Sequence, residues 1–198
     1  MIDRINDIDS RIALSIEKLI QVQRLLLWDV AKKYNLSPIQ TQFIIFLNRH
    51  SPGLRKVSVL ADEFDLTRAT VSDAITSLEH KGLLQKKRIE TDKRSSVLEL
   101  TGEGKKVSKK IENWQKSLIK NISKMPYMDK ENAYRFMTDL IKSLFDNGVI
   151  NTARMCLTCD NILPGIDGRP NTCNITGRLF FKNEVNINCN NYILKSNQ

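Results

Sequence analysis

The sequence lacks the signatures that would make it an enzyme. It contains no G-x-S-x-G, P-loop, H-E-x-x-H or dinucleotide fingerprint, and its cysteines are used too evenly to nominate one nucleophile. Histidine is nearly absent: His50 and His80 are the only two in 198 residues, and both sit in helix contexts as ordinary helix residues. Long apolar runs are missing as well. The N-terminal MIDRINDIDSRIALSIEKL carries scattered charge, which excludes a signal peptide or a membrane span and leads us to expect a cytoplasmic protein without a membrane partner. Cysteine is absent before residue 156. In a reducing compartment the four late cysteines do not read as a disulfide framework.

Acidic residues are also in deficit, 22 against 31 Lys and Arg, for a formal net charge of +9. The placement of that charge matters more than its size. Residues 81–110 hold ten basic residues (Lys81, Lys86, Lys87, Arg88, Lys93, Arg94, Lys105, Lys106, Lys109, Lys110) against four acids (Glu90, Asp92, Glu99, Glu103), a net of +6 in about a sixth of the chain. A basic stripe of this kind fits a nucleic-acid partner. The 41% hydrophobic content supplies enough apolar surface for a core.

Ile5, Ile8, Ile12, Ile16, Leu19, Leu26 and Val30 recur at three- and four-residue spacing and predict a long amphipathic helix over about 4–34. Its single apolar stripe needs a cover, from C-terminal helices, a second subunit or both. Ser37, Pro38 and Gln40 form a helix start with a capping box, for a helix running to about His50 that buries Phe43, Ile44, Phe46 and Leu47. A short helix over Val57 to Phe64 follows, then a turn at Asp65-Leu66. Thr67 can cap the next helix, Arg68 to Lys81, with Leu66 and Val71 as a staple and Gly82 at its end. Two short helices joined by a tight turn, the second hydroxyl-rich at its start, predict a helix-turn-helix.

The stretch KKRIETDKRSSVLELTGEG, Lys86 to Gly104, predicts a hairpin over 84–100: a basic strand end, a polar turn at Glu90–Arg94, and an alternating return strand from Ser95 to Leu100. With this hairpin the unit becomes a winged helix-turn-helix. Thr101 then caps a helix carrying Val107, Ile111, Trp114, Leu118 and Ile122 on one stripe. Met125-Pro126 breaks it, and a last helix from Asp129 carries Ala133, Phe136, Met137, Leu140, Ile141 and Leu144 inward until Asn147-Gly148. The fold class is mostly α with a small β-hairpin wing, flanked by long dimerisation helices and followed by a cysteine-rich tail. The expected divisions are 1–34, an N-terminal dimerisation helix; 35–101, the DNA-binding unit; 102–148, C-terminal dimerisation helices; and 149–198, the cysteine segment.

From about residue 10 to 147 the sequence resembles the MarR family of bacterial transcriptional regulators. The most specific part runs from Asp92 to Gly104 (DKRSSVLELTGEG), which fits the family's wing signature D-x-R-S-x-x-L-x-L-T-x-x-G. Val59–Ala61 through Thr70–Ser72 and Leu78–Leu84 fit its helix-turn-helix pattern. The resemblance implies a homodimer on a roughly palindromic operator, with Arg94 in the minor groove braced by Asp92. One departure is Asp65, where the family often has Gly. Asp tolerates left-handed backbone, so the turn is expected to survive.

Physical chemistry points to the same surface. A recognition helix places its N-terminal residues nearest the base edges, which makes Arg68 the candidate for a bidentate guanine contact, with Thr67, Thr70 and Ser72 hydrogen-bonding bases or phosphates. Arg94 suits a narrow A·T-rich minor groove. Lys86, Lys87 and Arg88 suit phosphates, which add salt-dependent affinity without specificity, and Lys93 is a further DNA-binding candidate. The expected function is a repressor on double-stranded DNA, with a small-molecule effector left open.

Residues 151–198 depart from the family pattern. Asn becomes abundant, and the cysteines fall as Cys156-x-x-Cys159, then thirteen residues to Cys173 and fifteen to Cys189. A C-x-x-C turn presents two thiolates to one ion, and a small loop-rich segment gains folding energy from a metal. A Zn²⁺ site with all four thiolates is the first expectation. An iron–sulfur cluster on the same ligands is the alternative, and a redox pair at Cys156 and Cys159 stays open. The alternative function is a regulator whose DNA binding answers to the metal or redox state of this tail.

Overall fold

The computed structural model describes residues 7–89 and 92–193, without the side chains of residues 88, 89 and 92–95. The chain begins with α1 (Ile8–Lys33), capped by the Asp7 carboxylate, which accepts from the amides of Asp9 and Ser10. Residues 4–6 of the expected helix lie outside the described residues. Only the C-terminal end of α1 enters the core, through Leu27 and Ala31.

Helix α2 (Pro38–Arg49) starts at the expected capping box: Ser37 Oγ accepts from the Gln40 amide, and the Gln40 side chain accepts from the Ser37 amide. A single 3-10 turn, Pro52–Leu54, leads into α3 (Val57–Phe64). Asp65 then turns the chain at φ 50°, ψ 51°, the left-handed geometry usually left to glycine. Helix α4 (Arg68–His80) follows, with Thr67 Oγ1 accepting from the Thr70 amide at its start. Gly82, at φ 68°, ends it.

The wing is an antiparallel pair, β1 (Leu84–Ile89) and β2 (Asp92–Leu100), in register from Leu84 opposite Leu100 to Arg88 opposite Ser96. The return strand therefore starts three residues before the expected Ser95. A bulge after Arg88 puts Ile89 opposite Asp92, so the register shift lets residues 92–94 stay in the strand. β2 also gains a second partner, since the Leu98 amide donates to the Arg55 carbonyl at 2.8 Å.

The expected single helix after the wing is two. Helix α5 (Gly102–Ile111) buries Gly104, Val107, Ser108 and Ile111, and a turn over 112–115 separates it from α6 (Lys116–Ile122). The core ends at Ile111. Beyond it Ile119 and Ile122 stay exposed, so packing no longer rewards straight continuation. The last helix, α7 (Tyr127–Asp146), starts directly after Pro126, two residues ahead of expectation, because proline's fixed φ suits a helix start.

One core joins α1 to α5 and the wing, centred on Phe43, Ile44, Leu47, Leu60, Val71, Ile75, Leu78, Leu98 and Ile111. The tail has its own three-stranded sheet, β3 (Ile162–Leu163), β4 (Asn171–Cys173) and β5 (Leu179–Phe180), over a small core of Met155, Cys156, Phe180 and Val185. No helix among the described residues is long and apolar enough to cross a membrane.

Candidate nucleic-acid interface

Helix α4 is amphipathic in the sense a reading helix requires. Val71, Ile75 and Leu78 are buried, while Arg68, Thr70, Asp73, Thr76 and His80 point to solvent. Ser72 is half-buried. Thr67 is already engaged: its Oγ1 lies 2.9 Å from Thr70 Oγ1 and accepts from the Thr70 amide at 3.1 Å. Of the residues expected to read bases, Arg68 is therefore the one with a long, exposed donor side chain.

The inward side of α4 is held by a polar network that sequence reasoning missed. Gln40 Nε2 donates to Ser77 Oγ at 2.9 Å, and Lys81 Nζ donates to Gln40 Oε1 at 3.0 Å and to the Asn35 carbonyl at 2.6 Å. Gln40 is thus both a capping residue of α2 and a strut for α4. The capping-box spacing reveals the first role, and only tertiary proximity reveals the second.

The wing stem is less free than its sequence suggests. Lys86 Nζ donates to Glu79 Oε2 of α4 at 2.8 Å, and Lys87 Nζ stands 3.8 Å from Glu99 Oε1 on the facing strand. These exposed pairs are weak, on the order of 0–1 kcal/mol, and a phosphate can compete for either lysine. Lys86 nevertheless ties the wing to the reading helix. The expected side-chain roles of Arg88, Asp92, Lys93 and Arg94, including the Asp92–Arg94 brace, lie outside the described residues.

Thr101 and Gly104, the T and last G of the wing signature, are structural. Thr101 Oγ1 donates to the Gly82 carbonyl at 2.6 Å and accepts from the Gly104 amide at 3.0 Å. A Cβ on Gly104 would stand 1.9 Å from the Leu83 carbonyl oxygen, so no larger residue fits there without moving the backbone. This contact sets the wing against α5.

Behind the reading unit, α2 ends at His50, which is buried, stacks on Phe46 at 3.8 Å and leaves Nε2 without a hydrogen-bond partner. Burial pushes its pKa below the ordinary value, opposed by the Phe46 carbonyl and reinforced by the Arg154 charge. Arg154, from the tail, is also buried. It pairs with Glu63 of α3, and its guanidinium lies 5.5 Å from the Phe46 ring and 6.0 Å from the Tyr192 ring.

The four cysteines are all free thiols, and all of them open onto one cavity of about 210 Å³. Cys156 and Cys159 are buried, Cys173 and Cys189 half-buried. The Asn186 amide donates to Cys156 Sγ at 3.4 Å. Burial raises the Cys156 thiol pKa, with the other three cysteines adding to the rise. A hydrogen bond from the Thr176 side chain, joined by the backbone amides of Thr176 and Ile175, lowers that of Cys173. Among the described residues no group of three or more Cys, His, Asp or Glu side chains is arranged to hold a metal ion as it stands. The fold thus gathers the four thiols without closing them into a coordination sphere. The tail meets α7 through Tyr134, which donates to the Val185 carbonyl, and Glu131, which accepts from Asn183, while Tyr192 turns inward to Thr158.

Comparisons with known proteins agree with this architecture. Residues 34–95 match the model of the MarR family. An uncharacterized HTH-type transcriptional regulator, YfiV of Bacillus subtilis (strain 168), is 26% identical over 113 residues, covering 57% of this chain and 69% of its own. Among solved structures, FabT of Streptococcus pneumoniae in complex with DNA is 20% identical with a TM-score of 0.58, over 70% of this chain and 96% of that one. The S. aureus MepR–DNA complex is 18% identical with a TM-score of 0.57, over 67% and 97%. A MarR transcriptional regulator from Methanosarcina mazei Go1 is 22% identical with a TM-score of 0.55, over 71% and 97%. Each is matched over nearly its whole length, leaving the remainder of this chain without a counterpart in it. The fold and its exposed helix define a winged helix-turn-helix protein. Within that class, residues 34–95 are similar to the MarR family.

Proposed function

We propose that the protein is a cytoplasmic repressor that binds a palindromic operator as a homodimer, with α4 in the major groove and the wing in the minor groove. The observation that carries the reading is α4 itself, a helix whose buried face is locked to α2 and whose opposite face exposes Arg68 and Thr70. In this reading Arg68 contacts a guanine edge, and Thr67, Thr70 and Ser72 bond bases or phosphates. Lys86, Lys87, Arg88 and Lys93 meet phosphates, and Arg94, set by Asp92, probes the minor groove.

The dimer is supported by apolar surface that one chain leaves bare. Leu14, Leu19, Ile20, Leu25 and Trp28 of α1, and Phe136 and Met137 of α7, are all between 44% and 66% exposed. Isolated exposed leucines are ordinary, but this many large apolar side chains along two long helices call for a partner. A small-molecule effector is compatible with this arrangement.

For the tail, we propose a Zn²⁺ site on Cys156, Cys159, Cys173 and Cys189, with an iron–sulfur cluster as the alternative. The donor set fits, being four thiols around one cavity with amides already aimed at two of the sulfurs. Such an ion would supply folding energy to a segment with few buried residues. Metal content and colour of the purified protein test this: one zinc per chain and no colour supports the first reading, a brown protein the second, and neither metal sinks both. Electrophoretic mobility shift with a duplex selected from a random-sequence pool tests the main reading, which fails if no sequence is preferred at low salt.

A further inference from the structure

We propose that the cysteine segment is a regulatory clasp: metal held by its four thiols orders the segment, and Arg154 transmits that order by fixing helix α3 of the reading head. This rests on the reading of the cysteines as a metal site.

Arg154 is placed to do this from both ends. Its backbone belongs to the cysteine site, two residues before Cys156, and its carbonyl accepts from the Cys189 amide at 3.1 Å. Its side chain belongs to the reading head, ion-paired with Glu63 of α3 and facing the Phe46 ring of α2. The residue is 6% exposed and sits at φ 39°, a left-handed conformation that an arginine keeps only where its surroundings hold it. A buried guanidinium is tolerated because Glu63 neutralises it and two aromatic rings cover it. Removing one partner leaves an uncompensated buried charge.

The ordering of the segment is the switchable part. Its strands are two or three residues long, and its buried apolar core is Met155, Cys156, Phe180 and Val185. A core of that size leaves the segment dependent on its thiol ligand for order. When ordered, it spans two bodies. Asn183 and Val185 bond Glu131 and Tyr134 of α7, while Arg154 bonds α3. It therefore fixes the angle between the long helix and the reading head. Helix α3 is joined to α4 by the three residues Asp65 to Thr67 and shares its core through Leu60, Ala61, Val71 and Ile75, so a displacement of α3 reaches the DNA-reading helix directly.

The test uses the full chain with and without Zn²⁺, stripped by a chelator and restored, and reads affinity for a selected duplex by fluorescence anisotropy. Wild type should change its Kd by about tenfold or more on metal removal, equivalent to roughly 1.4 kcal/mol. The double variant R154M/E63Q keeps the volume of the pair and removes both charges. It should retain the metal stoichiometry of wild type yet change Kd by less than about threefold, below half of that free energy. If it fails to fold, as read by circular dichroism, R154K, which keeps a charge beside Glu63 but loses the planar fork that faces the two rings, is used with the same expectation of a reduced response. Two results overturn the clasp while leaving the metal site standing: wild-type binding indifferent to a metal that is bound, or a variant that responds like wild type. Absence of metal uptake, unaltered by Cys156→Ser and Cys173→Ser, removes the underlying site and the clasp with it.

Discussion

Arg68, Gly104 and His50 show three different ways a single residue serves the reading unit. Arg68 is exposed and free of protein partners among the described residues, so in the proposed function its contribution goes to the DNA. Arg68→Ala should weaken operator binding by about 1–3 kcal/mol and relax the preference at one base position, with the melting temperature unchanged. Competition binding against single-base variants of the duplex reads this. Gly104 serves only the fold. Gly104→Ala forces a methyl group toward the Leu83 carbonyl and should cost about 1–3 kcal/mol in urea denaturation. His50 responds to acid. Its folded-state pKa lies below the ordinary 6.5, so the unfolded chain binds the extra proton first, and stability is full above that value and declines as pH falls through it. Urea midpoints measured on either side of about pH 6.5 should show this slope, and His50→Phe, which keeps the stack on Phe46, should flatten it.

At this scale the sequence was legible where a rule is local. Asp65 in left-handed backbone, Thr67 as a cap and the Ser37–Gln40 box all follow from neighbours within a few residues. The engagement of Lys86 by Glu79, the strut role of Gln40 and the burial of Arg154 do not, because their partners lie 7 to 91 residues away.

Among the elements, those between residues 37 and 89 match the sequence reading within about a residue, since each has a cap, a breaker and a clear period. The break in the helix after the wing is hidden from the sequence because apolar spacing continues through Trp114 while the core stops at Ile111. Periodicity marks a face and does not say whether anything covers it. The same limit explains α7, whose expected inward residues Phe136 and Met137 are 44% and 46% exposed. That exposure makes a testable claim about the second subunit. Phe136→Asp should shift sedimentation from dimer to monomer and reduce operator affinity through lost bivalency, with the α2–α5 core intact by circular dichroism. A variant that remains dimeric would place the dimer elsewhere.

For the whole molecule, a basic reading head on long helices bears a tail that touches both. The spacing of Cys156, Cys159, Cys173 and Cys189 suggests a shared site; the fold lines one cavity with all four, and among the described residues no three such side chains are arranged to hold a metal ion. It could not announce that the residue two positions ahead, Arg154, reaches into the core of the reading unit, because an arginine in a loop is ordinarily solvated. The most direct measurement of the central claim is the affinity of the full chain for its selected duplex and for a scrambled one, followed across salt concentration. A sequence-reading clamp predicts a steep fall of log affinity with log salt for both duplexes, and a preference for the selected duplex on the order of a thousandfold. Equal affinity for the two duplexes at every salt concentration would contradict it.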